Sequence, residues 1–179
     1  MVVSGYPELS PVINLNESGL VSPEGARGTL LRATFPALSG AAGMDIVPSD
    51  GPFHSYRGDA IIALVGDRAP WATSGVPLNT PVGYKVVRVD PSVDNGQVFD
   101  FVRNTQGLPA HLLGHDSENA LERPVDVKVG PDGAIYILDM GPMRVENGRE
   151  KIPNGAGRIF RLGPPRSATT KATGVAEGN

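Results

Sequence analysis

The chain has 179 residues, enough for one domain or for part of a larger one, and a formal net charge of −3 at pH 7. That charge gives no support for nucleic-acid binding, the absence of cysteine excludes disulfides and thiolate metal sites, and no apolar run reaches the ~18 residues of a membrane-spanning helix. The 23 glycines and 17 prolines, set among short apolar runs, point to an all-β chain with many turns.

Residues 1–27 form a weakly patterned, irregular segment. Its start, MVVSGYPELSP, lacks a basic region and a long apolar core and is no signal peptide. Asn16-Glu17-Ser18 fits a glycosylation sequon, a pattern short enough to arise often by chance. Gly28 to Phe35 is a candidate outer strand. Gly43 to Val47 is a strand with Asp45 between apolar residues, followed by a Pro48-Ser49-Asp50-Gly51 turn. Asp59 to Val65 is a nearly continuous apolar strand. A long loop, Gly66 to Val82, holds the only tryptophan, Trp71. Gly83 to Asp90 alternates, PSVDNG closes in an Asn-Gly turn, and Gln97 to Arg103 alternates again. The four strands from Gly43 onward make one antiparallel meander.

A polar loop, Asn104 to Leu121, leads to the clearest stretch, ERPVDVKVGPDGAIYILD. Pro124 to Val129 and Ala134 to Leu138 face each other across Gly130-Pro131-Asp132-Gly133. There Pro131 presets φ, Asp132 can bond the following backbone and Gly133 tolerates positive φ. After a second long loop, Met140 to Gly157, Gly157 to Leu162 is a third strand. The tail, residues 163–179, is small, polar and disordered in character.

Residues 28–162 thus hold a four-strand and a three-strand unit of matching design, with Asp45 and Asp126 in equivalent places. A meander repeated about an axis is a β-propeller blade. Two blades alone leave open edges and little core, so the expectation is a partial propeller. Strand alternation puts the three long loops, Gly66–Val82, Asn104–Leu121 and Met140–Gly157, on one face. Long loops tend to carry function, which makes that face the candidate working face.

RPVDVKVGPDGAIYILD followed by GAGRIFRL resembles the closing blade of the soluble sugar dehydrogenases that use pyrroloquinoline quinone (PQQ). YRGDAIIALVG followed by GYKVVRVD resembles the preceding blade in their glucose/sorbosone dehydrogenase branch. The likeness covers roughly Gly43 to Leu162 and implies the last two blades of a six-bladed propeller. In that family a sugar hydroxyl or aldehyde is oxidised, an early-blade His is the base, hydride passes to PQQ and Ca²⁺ polarises the quinone. The base and the Ca²⁺ ligands would lie outside this chain, so the chain alone is expected to be inactive. The remaining blades or a partner chain are expected to complete it. The family implies a periplasmic or secreted location.

Carried over residue by residue, Arg123 matches a position where Arg contacts the anionic cofactor, a fitting task for a guanidinium. The alternative for Arg123 is a surface arginine paired with Glu122 or a loop carboxylate. The family's second Arg, two residues on, is Val125 here. Where the family tends to carry Lys or His after DAIIALV, Val65 and Gly66 stand, with Arg68 a candidate substitute charge. Trp71 is a candidate sugar-stacking residue or packs under its own loop. His111 and His115 are spaced for a metal only on a helix, which Pro109 and Gly114 oppose, so they are expected to be solvated. His54 is expected at the surface. The competing reading of the whole is a non-catalytic propeller that binds a partner or a carbohydrate.

Overall fold

The strand pattern is realised as antiparallel sheets joined by long loops. The structure, a computed structural model, describes residues 33–69, 78–93 and 97–163. Strands β1 (Ala41–Ile46), β2 (Ala60–Leu64), β3 (Lys85–Val89) and β4 (Val98–Val102) form a four-stranded sheet in sequence order. Strands β5 (Pro124–Val129) and β6 (Ile135–Asp139) pair with β9 (Arg158–Leu162) in a three-stranded sheet. Between β6 and β9, β7 (Arg144–Glu146) and β8 (Arg149–Lys151) make a separate hairpin. No α-helix occurs among the described residues, only short 3₁₀ turns such as His54–Tyr56 and Ala110–Leu112.

The expected meander and the expected hairpin are both present. The Gly130–Gly133 turn closes by Gly133 N–H to Gly130 O (2.9 Å) and Gly130 N–H to Ala134 O (2.7 Å). Asp132 Oδ1 accepts from Ala134 N–H at 3.1 Å, and Gly133 sits at φ +72°. Of the outer strand expected at 28–35, residues 33–35 are not in a strand and the rest lie outside the described residues. The β7–β8 hairpin was not anticipated. Its sequence, RVENGREK, is rich in charge and gives little period-2 signal, although Asn147-Gly148 is a turn pair with both residues at positive φ.

Two apolar clusters explain the near-continuous hydrophobicity of β2, which is buried on both faces. On one face Ile61, Ala63 and Val86 pack with Val127, Ile135 and Ile137 of the second sheet and with Leu121 of the loop before it. On the other, Ile62, Leu64, Val87 and Val89 pack together, with Ala33 and Phe35 against them. The two sheets therefore share one core. The second sheet approaches the first through β5, chiefly against β1 and β2.

The equivalence of Asp45 and Asp126 has a structural basis. Both lie next to a bulge or register shift, and each carboxylate accepts the N–H of the following residue at 2.9 Å. Both strands are sheet edges, so their outward N–H groups need such acceptors. Asp45 does more: its Oδ2 accepts Val129 N–H of β5 at 2.8 Å. Lys128 Nζ returns to Met44 O at 2.6 Å. The backbones are close enough here that a Cβ on Gly43 would stand 1.9 Å from Asp126 Oδ1.

Candidate functional site

The long loops converge at the end of the sheets opposite the short turns. At the short-turn end, Gly133 lies against Pro52. At the other end, a polar cluster ties each loop to a strand end.

Asp67 follows β2. Its buried carboxylate accepts Ala69 N–H (3.0 Å) and Val82 N–H (2.8 Å), closing the loop between β2 and β3 at its base. Asp139, at the end of β6, accepts N–H groups of Glu122 (2.7 Å), Arg123 (3.0 Å) and Gly141 (2.7 Å). It thereby fixes the start of β5. Asn104 closes the loop between the sheets, accepting Leu121 N–H (2.8 Å) and donating to Leu121 O (2.8 Å) and Leu108 O (2.6 Å). These three side chains hold long loops in place without regular structure of their own.

Arg123 is 5 % exposed, neither on the surface nor paired with Glu122. Its Nη1 donates to Asp67 O (2.8 Å) and Gly66 O (3.4 Å), and its Nη2 to Tyr84 Oη (3.3 Å). The guanidinium also lies 5.0 Å from the Tyr84 ring centroid. Nε is buried with no partner among the described residues. Arg123 thus bolts the second sheet to the loop base of the first. Tyr84 donates its hydroxyl to Asp67 O at 2.8 Å and sits at φ +59°, a left-handed conformation costly for an aromatic residue. Packing holds it there: its ring fills the space a Cβ on Gly66 would take, 2.6 Å away. Burial pushes the Tyr84 phenol from its ordinary value near 10 up to about 12; Arg123 opposes this, and Asp67 and Glu122 add to it.

His111 is only half solvated. Its N–H donates to Glu122 Oε2 at 2.8 Å and its Nδ1 lies 2.7 Å from Glu122 Oε1. A carboxylate only accepts, so in the neutral ring Nδ1 carries the proton and Nε2 presents a lone pair. His111 lines a cavity of about 260 Å³ with Asp67, Leu78, Pro81, Tyr84 and Leu112. The cavity lies where the first two long loops meet. Among the described residues no three His, Asp or Glu side chains converge as a metal site. Sequence reasoning gave Asp67 and Tyr84 no role and named Glu122 only as a surface partner for Arg123. The pairing of Glu122 with His111 is eleven residues apart and fixed only by loop closure.

Arg68 is exposed and pairs with Glu150 of β8 at 2.9 Å, joining the first long loop to the third. Trp71 lies outside the described residues. His54 is at the surface, near Gly51 O at 3.3 Å. Arg123 and Arg68 do not converge on a common ligand: one is buried under Tyr84, the other reaches outward to the β7–β8 hairpin. For a quinone carboxylate the fit is poor. The Arg123 fork is engaged by the Gly66 and Asp67 carbonyls, and its neighbour two residues on is the apolar Val125.

Comparison with known proteins gave no match: no family model, no curated protein and no solved structure matches the chain.

Proposed function

We propose that the chain is the closing part of a six-bladed β-propeller of the quinoprotein sugar dehydrogenase type. In the complete protein that type of enzyme oxidises a sugar hydroxyl or aldehyde with hydride transfer to PQQ, aided by Ca²⁺. The observation that carries the reading is the repeat itself. Two meanders, each begun by a strand with an Asp at the same place, share one core and send their long loops to one end. In this reading the chain supplies a wall and mouth loops, with Arg123 as an internal bolt.

The poor fit of Arg123 to an anionic cofactor favours a second reading, a non-catalytic propeller whose loop cleft receives a carbohydrate or a partner. The two separate on one experiment. PQQ, Ca²⁺ and a panel of aldoses are added to the chain and to a form carrying the remaining blades, with cofactor binding followed by absorbance and turnover by dye reduction. The chain alone is expected to give neither, and sugar-dependent turnover by it would refute that. Dye reduction by the larger form supports the enzyme; absence of both binding and reduction there sinks it in favour of the binding module.

A further inference from the structure

The contact that joins the two sheets is half of a repeated device, and its second half is unused. In the first sheet, Asp45 registers with Ile61 and Ile61 with Arg88. That row faces the second sheet, and Ile61 is 0 % exposed. In the second sheet the equivalent row is Asp126, Leu138 and Ile159. Its Leu138 and Ile159 are 45 % and 70 % exposed, while Asp126 stands at the seam, with its Oδ1 beside Gly43 of β1. Asp126 repeats the local bond of Asp45 onto the following N–H, while its Oδ2 accepts nothing among the described residues. Asp45 uses the same oxygen to hold Val129 of the neighbouring sheet.

We infer that the Asp126–Leu138–Ile159 face is the docking surface for a third sheet of the same repeat. The inference rests on the propeller reading given above. The partner's first strand would lie beside β5 as β5 lies beside β1. Its residue three positions beyond its own aspartate would donate an N–H to Asp126 Oδ2, and an aliphatic face would cover Leu138 and Ile159. A second copy of this chain is the wrong occupant. The residue three positions beyond Asp45 is Pro48, which has no N–H, and the aliphatic face of the first sheet is already buried. The docking is therefore directional: the first sheet gives through Asp45 and cannot receive by this bond, while the second sheet receives at Val129 and gives through Asp126.

The chain has no cysteine, so a single introduced thiol reports on this face alone. Ile159→Cys is made in the full chain and in a form extended at its C-terminus by a flexible linker and a second copy of residues 104–162. The appended β5 carries Val129 and so has the required N–H. The thiol should react with an aromatic disulfide reagent at an exposed rate in the chain, and at least about tenfold more slowly in the extended form. Asp126→Ala in the first copy, or Val129→Pro in the appended copy, should restore most of the rate. Equal rates in the two forms overturn the inference. No quinone or sugar is present, so the result is independent of whether the protein is a dehydrogenase.

Discussion

At the scale of single residues, Arg123 and Tyr84 show how a buried charge can serve packing. A buried guanidinium is costly unless its donors are met, and here two carbonyls and a phenol meet Nη1 and Nη2, leaving Nε alone without a partner among the described residues. Arg123→Met should therefore destabilise the chain by about 2–4 kcal/mol, read as a lower urea midpoint at unchanged slope, with Arg123→Lys recovering part of the loss. Tyr84→Phe removes one hydroxyl that both donates to Asp67 O and accepts from Arg123, and should cost about 1–2 kcal/mol. Tyr84 also predicts a pH dependence. Burial favours the neutral phenol, so the folded value of about 12 lies above the ordinary value near 10. The unfolded chain then releases this proton first as pH rises. The contribution of Tyr84 is complete below about 10 and is lost between about 10 and about 12. A spectrophotometric titration should show one tyrosinate step near the upper value in the wild type, absent from Tyr84→Phe. Gly43 gives a steric prediction: a Cβ there meets the Asp126 backbone at 2.6 Å, so Gly43→Ala should lower stability by about 2 kcal/mol or more.

At the scale of elements, strands and turns were legible because their causes are local. Pro124–Val129 was readable to the residue, since alternation and the Gly-Pro-Asp-Gly turn fix it from both sides. Asp45 and Asp126 were legible as a repeated pattern, but not as edge-strand acceptors, because that role depends on which N–H groups the sheet leaves unpaired. The 3₁₀ turn at Ala110–Leu112 and the Glu122–His111 contact were not legible. They follow from Asn104 and Asp139 closing loops across wide sequence gaps. The assignment of Arg123 to a ligand came from a likeness of motif, and motif position does not say whether a side chain at a strand start turns outward or inward. The β7–β8 hairpin touches the rest of the described chain through an exposed ion pair, Arg68 with Glu150. Solvent screens such pairs, so Glu150→Gln should change stability by less than about 0.5 kcal/mol in thermal denaturation.

At the scale of the whole molecule, the shared core decides how the described chain unfolds. The first sheet presents Ile61, Ala63 and Val86 to the second, which answers with Val127, Ile135 and Ile137. Neither sheet retains that cover if the other is lost. Arg123 and the Asp45–Val129 bond fasten the same boundary at its two ends, one at the long-loop end and one at the short-turn end, between the edge strands β1 and β5. The two sheets should therefore behave as one cooperative unit. Ile61→Ala tests this, because Ile61 belongs to β2 and makes no ladder contact with the second sheet. The deletion should cost about 2–5 kcal/mol, the range for truncating a buried Ile in a packed core. Under native-state hydrogen exchange, the slowest amides of β6 should then lose as much protection as those of β2. Loss confined to β2 and its ladder partners would mean that the sheets open separately and that the boundary between them is weaker than its packing implies.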